Sequence, residues 1–316
     1  LRNVITTSPR DYLPPLLRLL APLKGVKSHK CPGALDFLSL MKKYGPNPKP
    51  VTVKPEDLAL LQYTGGTTGV PKSAMITHRN LIVNASQCEF QLPIRRGVDV
   101  NVTALPLFHI FGMTTAMNAP VLTGTTMLMI PDPRDPKGIL NAISKHKATA
   151  FCSVPTMYVA LINRPDINKY DLTTLRACIS GAAPLPVEVQ KKFEQITGGR
   201  LVEGYGLTET SPVTHVNPLD DPKKSRPGSI GIPVSDTEAK VVDLETGTKD
   251  LKTGEVGELV IKGPQVMQGY WNKPDETKIA LRNGWLYTGD IAKMDEDGYF
   301  YIVDRKKDMI DVSGLK

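Results

Sequence analysis

The sequence predicts a mixed α/β fold: a mainly parallel sheet flanked by helices, followed by a smaller β-rich, barrel-like subdomain. Three observations predict it. Between residues 55 and 216, short apolar runs alternate with stretches of helical periodicity, the pattern of a parallel sheet with helices on its faces. The Gly-rich and polar motifs of this half follow the apolar runs, where ligands of such sheets bind. Beyond residue 217 the helical pattern fades and strands joined by turns take over.

Residues 1–54 read as an incomplete N-terminal segment and linker. Val4–Thr7 suits a short strand. Tyr12–Lys30 contains no acidic residue and mixes Leu13, Leu16, Leu17, Leu19, Leu20 and Leu23 with Arg18, Lys24, Lys27 and Lys30. A basic, Leu-rich segment suits a membrane surface; the alternative is a linker whose leucines pack on the domain, with Pro14, Pro15 and Pro22 interrupting any long helix. Tyr44–Pro50 reads as a Pro-rich spacer. In the α/β part, strands are expected at Leu58–Tyr63, Val102–Leu107, Thr126–Ile130, Ala148–Val154, Leu175–Ser180 and Arg200–Glu203. Helices are expected at Pro136–Lys147 and Pro186–Thr197, where Val189, Phe193 and Ile196 recur at helical spacing. Residues 217–304 form the β-rich part, with strands at Glu238–Asp243, Glu255–Lys262 and Tyr299–Asp304, a turn at Asp295–Gly298 and one helix at Pro274–Arg282. Residues 305–316 then read as a hinge leading into a further domain.

Composition narrows the function classes. Of 316 residues, 41% are hydrophobic and 22% charged, an ordinary globular balance that supports a sizeable core. No apolar run is long enough to span a bilayer, and the first residues lack the basic start and apolar stretch of a signal peptide. The four cysteines, Cys31, Cys88, Cys152 and Cys178, form no CxxC pair, which predicts reduced, mostly buried thiols in a cytoplasmic protein. The five histidines lack HExxH spacing, so a zinc hydrolase is not supported. The formal charge of +7 suits an anionic partner, but no basic run interleaved with aromatics favours nucleic acid.

The most informative stretch is Tyr63–Lys72. Gly65, Gly66 and Gly69 allow backbone to approach a polyphosphate closely; Thr64, Thr67 and Thr68 offer hydroxyls, and Lys72 a cation. Such loops hold phosphate through backbone N–H groups. The bland alternative is a flexible hairpin turn. A P-loop is the natural rival, since Gly66–Ser73 differs from the Walker pattern at one position. That position is Pro71, which has no N–H to offer a phosphate. Ala74, Met75 and Ile76 then look like strand, and Thr77 like the N-cap of the next helix. Strand–loop–strand is not Walker architecture.

This stretch resembles the phosphate-loop signature of the adenylate-forming enzymes, which include acyl-CoA ligases, firefly-type luciferases and peptide-synthetase adenylation domains. Four further stretches match in the same order: Phe108–Gly112, similar to the family's acyl-pocket motif; Ser180–Pro184, its adenine-side loop; Gly204–Glu209, its central nucleotide and metal motif; and Tyr287–Asp290 with Asp304–Asp308, its ribose-binding and hinge motifs. The resemblance is greatest to bacterial-type long-chain fatty-acid CoA ligases, through Gly263–Trp271 and Val303–Ile310.

The resemblance implies a reaction in which ATP activates a carboxylic acid to acyl-AMP, releasing pyrophosphate, and CoA then takes the acyl group. Positioning and charge neutralisation matter more to such a step than a nucleophilic side chain. Thr67, Thr68 and Lys72 would hold the departing phosphates, Thr208 the α-phosphate, and Glu209 a Mg²⁺ ion. Tyr205 would offer its face to adenine, beside Gly181, Ala182 and Gly206. Asp290 would accept from the ribose hydroxyls, Arg305 would support ribose or phosphate, and Lys307 would sit at the hinge. His109 stands where amino-acid-activating relatives carry Asp, which implies an acyl or aryl acid instead; Met113 and Met117 are candidates for the acyl tunnel. Each residue has a plainer role: Glu209 as a helix-start carboxylate, Asp290 as a turn residue, residues 305–307 as a solvated charge run, His109 as a core histidine. Two departures stand out, Ser73 where the family usually has Gly, and Asp311 after Ile310. The family's chain also begins earlier and continues past the hinge into a domain supplying a catalytic lysine, so a chain of this extent is expected to bind ATP but to form thioester very poorly. Substrates aside, peripheral membrane contact and a homodimer are left open. The rival readings are an acyl-AMP ligase serving a carrier protein and a non-catalytic nucleotide-binding module.

Overall fold

The computed structural model describes residues 3–24, 31–64 and 71–305, and the chain separates into two compact units, Leu1–Val53 and Lys54–Lys316. In the first, strand β1 (Ile5–Thr6) pairs in parallel with β2 (Leu35–Asp36), and the short helices α1 (Pro15–Leu20) and α2 (Phe37–Lys43) accompany them. The leucines of the basic segment are mainly solvent-facing: Leu16, Leu17, Leu19, Leu20 and Leu23 are all exposed. No helix among the described residues is long and apolar enough to cross a membrane.

The second unit opens with an antiparallel hairpin, β3 (Leu58–Thr64) and β4 (Lys72–Thr77), that joins neither large sheet. Leu58–Tyr63 is thus a strand, as its pattern predicts, but outside the parallel sheet. Thr77 caps α3 (His78–Gln91): its side chain accepts from the Asn80 amide, and Asn80 bonds back. The buried face of α3 sets three hydrogen-bonded polar residues, Asn80, Asn84 and Gln87, beside Ala85 and Cys88. Asn84 exchanges two hydrogen bonds with the Val213 backbone at 2.7 and 2.9 Å, Asn80 donates to the carbonyls of Pro264 and Val266, and Gln87 donates to that of Ser235.

A seven-stranded sheet follows. In chain order its elements are β5 (Val100–Thr103), α4 (Ile110–Met113), a π-helical turn (Thr114–Asn118), α5 (Ala119–Thr123), β6 (Thr126–Met129), α6 (Pro136–His146), β7 (Ala150–Ser153), α7 (Pro155–Ile162), β8 (Ala177–Ser180), α8 (Val187–Thr197), β9 (Arg200–Gly206), β10 (Val213–Val216) and β11 (Ile232–Pro233). The spatial order is β11-β10-β9-β8-β7-β5-β6; the five strands from β9 to β6 are parallel, and β10 and β11 are added antiparallel. Strand residues alternate between faces. Val102, Phe151, Cys178 and Leu201 enter one core with Ile139, Leu140 and Ile143 of α6 and Phe193 of α8. Within it Tyr158 packs edge-on against Phe193, ring centroids 5.0 Å apart, and donates to the Phe151 carbonyl at 2.6 Å. Cys152, Ala177, Ile179 and Val202 turn to the opposite face. Parallel strands buried on both faces explain why these runs read as continuously apolar.

The smaller sheet is antiparallel and curled: β12 (Glu238–Val242), β13 (Gly257–Lys262), helix α9 (Pro274–Ala280), β14 (Leu281–Arg282), β15 (Trp285–Met294) and β16 (Phe300–Arg305). The strand order is β12-β13-β15-β14, with β16 also on β15. Its core gathers Val241, Leu259, Ile261, Ala292 and Phe300. β15 was not anticipated as a strand: Gly289, at φ 74°, sits in its middle where the β13 register shifts, so the sequence there reads as a turn.

Three cysteines are buried and free, as expected, but Cys31 is exposed. Burial pushes the Cys88 and Cys152 thiols up to about 12, so neither is a thiolate nucleophile at neutral pH.

Candidate nucleotide site

The carboxyl ends of β7, β8 and β9 lie at one end of the parallel sheet, and the stretches 180–184 and 204–209 sit at the ends of β8 and β9. After β8 the chain turns through Gly181 and Ala182; a Cβ on Gly181 would lie 3.0 Å from the Phe111 ring, and Ala182 holds a φ of 67°. β9 ends in Gly204-Tyr205-Gly206. A Cβ on Gly206 would stand 2.0 Å from the Pro212 carbonyl oxygen, so only glycine fits. Gly181, Ala182, Gly204, Tyr205 and Gly206 together line a cavity that continues past Phe111 and Thr115 toward Cys88 and Gln91 of α3 and Leu92 after it. Met113 and Met117 line neither this cavity nor the one beside it.

Tyr205 is fixed from two sides. Its hydroxyl donates to the Asp290 carboxylate at 2.5 Å. Its ring packs edge-on to His215, centroids 6.0 Å apart, and His215 in turn lies 4.9 Å from Phe300. Complete burial holds the His215 ring down to about 3, so it is a neutral support. Asp290 is itself buried, with its amide bonded to Thr288 Oγ1 at 3.1 Å, and its backbone is the register partner of Arg305.

A second cluster joins the hairpin to the 208–210 turn. The strand-like segment 267–271 runs beside β4, with Met75 N bonded to Gly269 O at 2.8 Å and Trp271 N to Ser73 O at 2.8 Å, and Met267 N reaches Glu209 O at 2.8 Å. This path carries Tyr270 between two charges. Tyr270 donates to Glu209 Oε1 at 2.6 Å, and the Lys72 ammonium lies 5.3 Å from its ring centroid while pairing with Glu276 of α9. Burial first, then the neighbouring Glu209 charge, raises the Tyr270 hydroxyl far above the usual tyrosine range, so it stays a donor. Glu209 accepts one bond there, and a lone carboxylate completed by phosphate oxygens and water is the ordinary Mg²⁺ donor set; among the described residues no cluster of three or more metal-ligating side chains occurs.

Of the residues singled out from sequence, the structure brings together Tyr205 with Asp290, Lys72 with Glu209 through Tyr270, and Gly181 and Ala182 with Gly206 around one cavity. Thr208 opens the 3-10 turn that carries Glu209, and Thr64 pairs with Lys72 in the hairpin. His109 is exposed and caps α4, its Nδ1 accepting from the Phe111 amide at 3.2 Å; Phe111 rather than His109 reaches the cavity. Gly65, Gly66, Thr67, Thr68, Gly69 and Lys307 lie outside the described residues, as does the Arg305 side chain. Sequence reasoning missed Tyr270, Glu276 and Glu203. The first lies in a stretch quoted only for resemblance and the second in an expected surface helix. Glu203 precedes Gly204 with no motif signal of its own, yet its carboxylate accepts from the Leu185 amide at 3.1 Å and so ties β9 to the loop after β8. Burial raises it to about 7.

Fold and site together define the class: an α/β nucleotide-binding protein of the adenylate-forming type. Residues 9–271 match the family of AMP-binding enzymes, and the chain belongs to that family. It is 46% identical over 99% of its length to a long-chain-fatty-acid–CoA ligase of Bacillus subtilis, covering 56% of that protein. Among solved structures, ATP-bound MatB from Rhodopseudomonas palustris superposes with a TM-score of 0.83 at 32% identity over 99% of this chain and 60% of that one. A long-chain-fatty-acid–CoA ligase from Archaeoglobus fulgidus gives 0.74 at 32% identity over 87% and 57%. The chain spans about half the length of the curated relatives it matches.

Proposed function

We propose that the protein is a fatty-acid CoA ligase whose nucleotide half is the chain described above. The observation that carries this reading is the cavity that starts at Gly181, Tyr205 and Gly206 and runs between the parallel sheet and α3 over a mainly apolar lining. An adenylate at the loops and an acyl chain in the cavity would meet at one point.

In this reading a carboxylate oxygen attacks the α-phosphorus of ATP and the bond to the β-phosphate oxygen breaks, releasing pyrophosphate. The thiol of CoA, losing its proton, then attacks the acyl carbon and AMP departs with its bonding pair. Tyr205 presents its ring to adenine and holds Asp290 toward the ribose. Lys72 neutralises the departing phosphates once it exchanges Glu276 for them, with Thr67 and Thr68 on the same loop. Glu209 would hold Mg²⁺, which supplies charge neutralisation at the phosphates. Residues 217–304 serve as the β-rich subdomain bearing Asp290, and Lys307 as the hinge. The exposed Leu16, Leu19 and Leu23 beside Arg18 would rest on a membrane surface in a cytoplasmic protein, a reading that vesicle flotation checks.

ATP–pyrophosphate exchange tests the proposal, using the protein at its full natural length with acetate, octanoate, palmitate and an amino-acid mixture. Palmitate-dependent exchange followed by CoA-dependent thioester is expected. Exchange without any CoA dependence would transfer the acyl group to a carrier protein instead. Absence of exchange from folded, ATP-binding protein would leave a binding module.

A further inference from the structure

The apolar cavity does not end at α3. A second cavity shares Cys88, Leu92, Thr115 and Ile179 with it and continues along the same sheet face. Space exists there because the strand residues on that face are small: Ala150, Cys152 and Ala177 all line it. The direction is away from the nucleotide. Arg176, which lines only the second cavity, lies five residues before Gly181, about 17 Å of extended strand.

The character of the lining changes at that distance. Asp99, Asn101 and Arg176 border the second cavity and are absent from the first. Asp99 is buried and its oxygens are taken: it accepts from the Arg95 amide at 2.7 Å, from Arg95 Nε and Nη2 at 3.1 and 3.0 Å, from Thr149 Oγ1 at 3.0 Å, and from Arg176 Nη2. Burial would raise this carboxyl, but those donors hold it below its ordinary value, so it stays charged and occupied. Asn101, only 4% exposed, has an Nδ2 with no hydrogen-bond partner, and the buried Nε of Arg176 has none either. Asp99 and Arg176 balance each other in charge, and the wall they share with Asn101 keeps two unsatisfied donors, Asn101 Nδ2 and Arg176 Nε. An apolar chain end would leave both donors unpaired, whereas an acceptor oxygen would satisfy them.

We propose that the second cavity takes the distal end of the bound acid and that Asn101, with Arg176, selects fatty acids bearing an oxygen acceptor there, as an ω-hydroxyl or a second carboxyl group. This rests on the acyl-activating reading. Asn101 touches the far end of the substrate and takes no part in the reacting centre, so it governs choice of substrate and not the chemistry.

The test is ATP–pyrophosphate exchange by the full-length protein with matched pairs of acids, plain and ω-hydroxy or α,ω-dicarboxylic, from decanoate to octadecanoate. At the length whose end reaches Asn101, the oxygenated acid is expected to show a kcat/KM roughly fivefold to thirtyfold above its plain counterpart, the range of one or two satisfied hydrogen bonds. Asn101→Leu removes the unpaired donor and should abolish that ratio, with the plain acids gaining relative to the oxygenated ones. Should the leucine variant not fold, Asn101→Asp, nearly identical in shape but without the donor, should abolish it too. A preference for plain acids at every length, or a ratio that survives both substitutions, overturns the inference and leaves the ligase reading intact. Exchange with no acid of either kind overturns both.

Discussion

The Tyr205 hydroxyl donates to the Asp290 carboxylate at 2.5 Å, joining the two sheets across 85 residues of sequence. Under the proposed function the bond would set both the adenine-facing ring and the ribose-facing carboxylate, so that one linked pair would read the two halves of a nucleoside. Replacing Asp290 with alanine should weaken AMP or ATP binding by about tenfold to a hundredfold, the effect of losing hydrogen bonds to a charged acceptor. Tyr205→Phe keeps the ring and should lose tenfold at most. Isothermal titration separates the two, and an Asp290→Ala protein of unchanged affinity would place the ribose elsewhere.

Lys72 pairs with Glu276, and under the proposed function the phosphates would displace that partner. The pair is partly exposed, so its strength is modest, about 0–1 kcal/mol. Glu276→Gln should therefore tighten ATP binding, by no more than about fivefold. Lys72→Ala should weaken ATP binding much more than AMP binding, because AMP lacks the outer phosphates. Equal losses for the two nucleotides would refute the assigned role.

Glu203 gives a pH dependence of definite sign. Burial raises its carboxyl from 4.5 to about 7 in the folded protein, so the folded state binds the proton more tightly than the unfolded one. The stabilisation is complete below about 4.5 and is lost as pH rises through 7. Glu203→Gln keeps an oxygen for the Leu185 amide and removes the titration. The variant should be more stable than the parent at pH 8 by on the order of 1–3 kcal/mol, with the two converging near pH 4.5. Thermal melts across that range would show the idea to be wrong if the curves stay parallel.

Gly206 has no room for a methyl group. The close approach of its would-be Cβ to the Pro212 carbonyl is backbone against backbone, which cannot swing away. Gly206→Ala should lose several kcal/mol, in the upper part of the range for single substitutions, or fail to fold. Gly228→Ala is the control: it meets nothing within 4 Å but carries a φ of 83°, so it should lose only about 1–2 kcal/mol. Urea unfolding of the pair distinguishes crowding from backbone strain.

Much of this was legible in the sequence because it is local. The helices α6 and α8 follow their apolar spacing, the Thr77 cap follows from Thr77 and Asn80 three residues on, and Pro71 alone excludes a Walker loop. Partners at a distance were not legible. Leu58–Thr64 carries a strand pattern, but nothing in that pattern says it pairs with Lys72–Thr77 instead of entering the parallel sheet. Gly289-Asp290 reads as a turn, and the local backbone does take a left-handed turn, yet hydrogen bonding on both sides keeps it inside β15. Tyr270 and Glu276 carry no signal of their own because their importance comes from meeting Glu209 and Lys72 in space.

The small side chains of Ala150, Cys152 and Ala177 on one sheet face have a consequence for how this molecule can change over time. The strand ends and the loops after them carry Gly181, Ala182 and Tyr205, while the strand middles set how much room lies beneath them. Adding a methyl group at one of those positions subtracts volume without touching Tyr205, Asp290, Lys72 or Glu209. Under the proposed function, substrate range would thereby be separable from catalytic competence, and a lineage carrying this scaffold could trade one acid for another by single steps in the strand interior, each of which would leave the adenylating end as it was.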